Sequence, residues 1–175
     1  MTLKIKSLIC LLMLAVLVLT SCGAKEPDNT FPVKPDRIIV GTGGTEKAIL
    51  PGDKSFDKIV SFVRERTDKS EAFGVLLLEA YDLDTGKHMS YELRESQTFV
   101  ELIYDECKGQ IFNMSQSGGG SAEEEKEIKR IFLSLTGDYH DCIFIGKDDN
   151  YESSATLGLL TDNTELITYV SELVK

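Results

Sequence analysis

The sequence predicts a single α+β domain: a mixed or largely antiparallel sheet with about four helices packed on it. Short β-branched and aromatic runs alternate irregularly with segments whose apolar residues recur at helical spacing. Glycine, proline and aspartate separate the two kinds of segment. Residues 22–175 are enough for one hydrophobic core and hardly two.

Taken in order, the chain opens with Lys4 and Lys6, then an almost unbroken apolar run from Leu8 to Leu19. That run is too short for a hydrocarbon core of roughly 30 Å at about 1.5 Å per residue, so a removable signal peptide is expected rather than a membrane span. Leu19-Thr20-Ser21-Cys22 resembles the bacterial lipobox: a branched apolar residue, two small residues, then the cysteine that takes the lipid. The resemblance covers residues 1–22 and implies a lipoprotein. Residues 1–21 are then removed, Cys22 carries a diacylglyceryl group, and the chain is held at the extracytoplasmic face of the cell membrane. Two acyl chains make such an anchor stable, because each buried methylene adds about 0.8 kcal/mol.

Cleavage before Cys22 leaves 154 of the 175 residues. It removes two of the 19 basic residues and none of the 29 acidic ones, so the exported chain carries a net charge of −12. Such a charge repels nucleic acid and anionic headgroups. No nucleic-acid partner is expected, and a solvated acidic surface is the simplest account of the composition. Cys10 leaves with the signal peptide and Cys22 is lipidated, so Cys107 and Cys142 remain. A disulfide between them is allowed in an oxidising compartment, and two free thiols fit equally well.

Residues 22–35, with Pro27, Pro32 and Pro35, read as a tether, and residues 36–175 as the globular domain. Arg37 to Val40, the turn Gly41 to Gly44 and Glu46 to Leu50 predict a β-hairpin. Phe56, Ile59, Val60 and Val63 form one stripe of a helix. Phe73 to Leu78 is apolar throughout, as a strand covered on both faces would be. Asp82 to Lys87 is a turn leading to a strand over Met89 to Leu93. Over Ser96 to Cys107 the pattern is divided, and Phe99, Leu102, Ile103 and Cys107 on one face favour a helix, followed by a strand over Gln110 to Met114. After the loop Ser117 to Gly120, Ser121 and Glu124 form a capping box, Glu123 to Glu125 suit a helix N-terminus, and Ile128, Ile131, Phe132 and Leu135 form a stripe. A helix ending before Gly137 is expected there. Strands over Ile143 to Ile145 and Thr156 to Leu160 and a last helix from Asp162, with Leu166, Val170 and Leu173 inward, complete the chain.

No chemical motif survives inspection. Gly41-Thr42-Gly43-Gly44 has Glu46 where a dinucleotide fingerprint needs its third glycine. Asp82 and Asp84 open like a calcium loop, but Gly86, Lys87 and Leu93 occupy positions that demand other residues. His140, Asp141 and Cys142 are consecutive, so a strand would point them to opposite faces. His88 and His140 are the only histidines, and neither thiol nor any serine lies in a recognised nucleophile motif. The expectation is a non-catalytic binding or accessory module without cofactor or metal. It would be anchored to the membrane through Cys22 and meet an envelope or extracellular protein through exposed loops at Gly41–Thr45, Gln116–Ser121 or Lys147–Ser154. A small envelope hydrolase and a solute-binding lipoprotein are the alternatives.

Overall fold

The computed structural model describes residues 31–68, 73–76, 80–152, 156–158 and 163–175. The elements run β1 (Arg37–Thr42), β2 (Thr45–Ile49), α1 (Phe56–Asp68), β3 (Gly74–Leu76), α2 (Ser90–Ser96), β4 (Thr98–Ser115), β5 (Ser121–Ser134), β6 (Cys142–Gly146), β7 (Thr156–Gly158) and α3 (Thr164–Val174). A 3₁₀ turn at Gly137–Tyr139 joins β5 to β6. All strands belong to one sheet in the order β2-β1-β4-β5-β6-β7-β3, and every neighbouring pair is antiparallel. The α+β class holds, with three α-helices among the described residues instead of about four.

The β1–β2 hairpin forms as the sequence suggests. Thr42 pairs with Thr45 across Gly43 and Gly44, whose φ values of 53° and 81° are the left-handed conformations a two-residue hairpin turn requires. α1 likewise follows its stripe, burying Phe56, Ile59, Val60 and Val63. The strand expected over Phe73 to Leu78 is present as β3, but β3 ends the sheet and leaves Val75 exposed, so it is not covered on both faces; Leu77 and Leu78 lie outside the described residues, as do Leu159 and Leu160 beyond β7 and Asp162 before α3.

Three segments differ from expectation. Ser96 to Cys107 is not a helix but the first part of β4, in which every residue from Thr98 to Tyr104 is buried. Val100, Leu102 and Tyr104 face the main core, while Phe99 and Glu101 face the opposite side. A strand buried on both faces is apolar almost throughout, so a helical stripe can be picked out of it by chance. Ser121 to Ser134 is β5, registered against β4 from Ser115↔Ser121 to Phe99↔Ser134. Ile131, Leu133 and Leu135 alternate into the main core and Phe132 into the second cluster; the helical stripe had left Leu133 without a place. Met89 to Leu93 is not a strand: the Leu93 N–H donates to the Met89 carbonyl and the Gln97 N–H to that of Leu93, closing α2.

β4 and β5 form a long ribbon with one irregularity. Ile103 pairs with Arg130 and Lys108 with Ile128, so Tyr104 to Cys107 stand opposite Lys129 alone, and the extra residues swing out as a bulge. Beyond it, Phe112 meets Phe31 and Phe73 at ring distances of 4.9 and 5.5 Å. Phe31 is buried, the Val33 N–H donates to Gln110 Oε1, and the Tyr104 hydroxyl donates to the Val33 carbonyl, so the packed domain begins within the segment read as a tether. α1 and α3 cover the main face of the sheet, and α2 covers the other.

Candidate functional site

The face of the sheet beneath α2 holds a charged cluster that the fold encloses. Glu101, the fourth residue of β4, is fully buried. Its carboxylate accepts hydrogen bonds from Arg94 of α2 and from the Tyr151 hydroxyl. Arg130 NH1 lies 3.7 Å away, and Arg94 also reaches Glu46 Oε1 of β2 at 3.0 Å. Pairing sets these positions: Glu101 is opposite Phe132 on β5, and Phe132 opposite Phe144 on β6, which brings one face of three strands together. Arg130 reaches inward because Gly146, its partner on β6, has no side chain; a Cβ there would collide with the Asn150 carbonyl and come within 2.8 Å of Arg130 Cγ. Phe99 and Phe132 stack at 5.0 Å, with the Arg94 guanidinium 5.2 Å above Phe99.

His88 completes the cluster. Its ring stacks on Tyr151 at 4.8 Å and meets Tyr81 and Phe144 edge-on at 5.0 and 5.2 Å. The Ser90 backbone N–H donates to His88 Nδ1 at 3.1 Å and the Ser90 hydroxyl lies 2.9 Å from it, so Nδ1 is the acceptor and the neutral ring carries its proton on Nε2. Nε2 is buried and makes no hydrogen bond of good geometry. Burial pushes the imidazole down to about 4, with the Glu152 backbone pulling the other way. Burial also holds the Tyr151 phenol far above its ordinary range, and Glu101 adds to this. Burial alone would lower Arg94, but Glu101 and Glu46 more than compensate, so its charge is secure.

Glu101, Arg94, Arg130 and Tyr151 satisfy one another, whereas His88 Nε2 does not share in this. Glu101 is compensated by two guanidinium groups and a phenol, Tyr151 stays protonated, and His88 stays neutral at ordinary pH. Chemically the cluster can clamp α2 to the sheet and fix the register of β4 against β5; its carboxylate is closed to solvent. A separate cleft of about 170 Å³ lies between α1 and α3, lined by Phe62, Glu65, Arg66 and Asn163 to Leu166. There Arg66 NH2 donates to the His140 carbonyl and Asn163 Nδ2 to the Leu135 carbonyl.

The positions singled out from sequence lie elsewhere and apart. Cys107 is exposed in the β4 bulge, its thiol donating to the Lys147 carbonyl, whereas Cys142 is buried in β6; both are free, so the bridge that was allowed is not made. Burial, reinforced by Asp141, pushes the Cys142 thiol up to about 11. Asp82 Oδ1 accepts from the Asp84 and Thr85 N–H groups and the Thr85 hydroxyl, which is turn chemistry. Among the described residues no group of three or more His, Cys, Asp or Glu side chains is placed to hold a metal ion. Cys22 lies outside the described residues. Sequence reading missed Glu101, Arg94, Arg130 and Tyr151, and gave His88 no role. The available signal was a carboxylate inside the run Phe99-Val100-Glu101-Leu102-Ile103, where a strand must bury it. No family model matches the chain, and neither the curated proteins nor the solved structures contain a match to it.

Proposed function

We propose that this chain is an exported lipoprotein, held by a diacylglyceryl group on Cys22 at the extracytoplasmic face of the cell membrane, and that its domain is a non-catalytic binding or accessory module of the envelope. The Lys4–Cys22 segment supports the anchor. The observation that carries the non-catalytic reading is the self-satisfied Glu101 cluster: its strongest acid–base groups are spent on one another and walled by aromatic rings. Surface recognition by exposed backbone and loops is what remains for such a domain.

Metabolic labelling with a fatty-acid analogue tests the anchor. Wild type takes up the label and Cys22→Ala does not; an unlabelled wild type recovered from the medium sinks the reading. The solute-binding alternative rests on the α1–α3 cleft. A thermal-shift screen of small metabolites decides it: a specific ligand there raises the melting temperature, and an accessory module ignores the set.

A further inference from the structure

β5 is fourteen residues long. Along one side it pairs with β4 as far as Ser121, but on the other β6 covers only Arg130 to Leu133. Among the described residues no strand pairs with the outer side of Ser121 to Lys129. The ribbon is held stiff, because Phe112, Met114 and Ile128 on its inner side pack into the main core with Phe31 and Phe73. A fixed row of outward N–H and C=O groups is a template for one more strand. Little ordering cost remains on this side of such a pairing.

Charge decides what could occupy it. Glu123, Glu124, Glu125 and Glu127 line the open stretch, with Lys126 and Lys129 among them, the latter bonded to Asp149 at 3.3 Å. Glu124 is bonded to Lys126 at 2.7 Å and Glu127 to Lys147 at 2.5 Å, while Glu123 and Glu125 are exposed and have no cationic partner among the described residues. Pairing with a second copy would set glutamate against glutamate, which is unfavourable across adjacent strands. A lysine- or arginine-bearing segment meets the opposite situation.

We infer that the outer edge of β5 from Ser121 to Lys129 docks an extended basic polypeptide segment, which joins the sheet as an additional strand. This deepens the binding-module reading by naming the partner's chemistry, and it is tested independently of the Cys22 anchor.

The probe is a nine-residue peptide alternating lysine and threonine, with the same peptide carrying glutamate for lysine as control. Both are titrated into the isotope-labelled mature chain while amide hydrogen exchange is followed residue by residue. The lysine peptide binds and slows exchange at alternate amides between Ser121 and Lys129; the glutamate peptide does neither. The double variant Glu123→Lys, Glu125→Lys binds the lysine peptide about tenfold more weakly, with an unchanged unfolding midpoint. No binding of the lysine peptide, binding without slowed exchange on β5, or equal binding by the double variant overturns the proposal. So does concentration-dependent protection of the same amides without peptide, which would make a second copy the occupant.

Discussion

His88 gives the fold a measurable acid sensitivity. In the native state a second proton must go to Nδ1, which ends the bond from the Ser90 N–H and places a charge inside a wall formed by Tyr81, Phe144 and Tyr151. The folded imidazole therefore titrates at about 4 against 6.5 for the free side chain. Between those values the unfolded chain holds more protons than the folded one, so unfolding becomes easier as the pH falls. The stabilising effect is fully present above about pH 6.5, declines between there and pH 4, and is gone below, because both states are then protonated. At about 1.4 kcal/mol per pH unit the loss amounts to about 3 kcal/mol. Urea unfolding followed by circular dichroism at pH 7.5, 6, 5 and 4, wild type beside His88→Phe, isolates this contribution, since carboxylate titrations common to both chains cancel in the difference. The wild type loses about 3 kcal/mol relative to the variant across the range. If the two stability curves stay parallel, the argument that His88 is buried neutral fails.

Other perturbations test the cluster and its setting. Glu101→Ala leaves Arg94 without its buried partner and costs about 3–5 kcal/mol by urea unfolding, against about 1–3 kcal/mol for Tyr151→Phe, which removes one hydrogen bond to a charged group. A ranking with Tyr151→Phe the more damaging would contradict the central place of the carboxylate. Gly146→Ala drives a methyl group against the Asn150 carbonyl and Arg130, lowering stability by about 1–3 kcal/mol; an unchanged midpoint would show that Arg130 does not need this space. Native-state maleimide reaction followed by peptide mapping modifies Cys107 and spares Cys142 until denaturant is added, as exposure and the raised Cys142 thiol require. Equal rates would refute that placement.

What could be read from sequence followed from local cause. The β1–β2 hairpin depends on Gly43-Gly44, and α1 on a single apolar stripe with a polar back, so both are visible within a dozen residues. β4 and β5 depend on neighbours distant in the chain. Residues 98–104 of β4 and 131–134 of β5 are buried on two faces, which erases the alternation that marks a half-exposed strand. The glutamates at Glu123 to Glu125 imitated the first turn of a helix, but here they lie along an exposed strand. Glu101 was hidden by the same error, since a helix over Ser96 to Cys107 would have put it on the solvated face. Tyr151 sat in a segment that read as a loop, and only the folding of the chain after β6 back across β5 brings it to Glu101, fifty positions away.

The burial of Glu101 has a second consequence, which belongs to the chain before it folds. Apart from Glu101, Thr98 to Tyr104 holds β-branched and aromatic residues and Leu102, the composition of a segment that stacks into fibrils. While β1 has not yet docked against it, copies of this run are free to meet. An ionised carboxylate at its centre then repels its counterpart on every neighbouring chain, acting as a gatekeeper. Arg94, Arg130 and Tyr151 reach that charge only once the native fold has formed. The charge that the finished fold must neutralise is thus one that opposes self-association of this run beforehand.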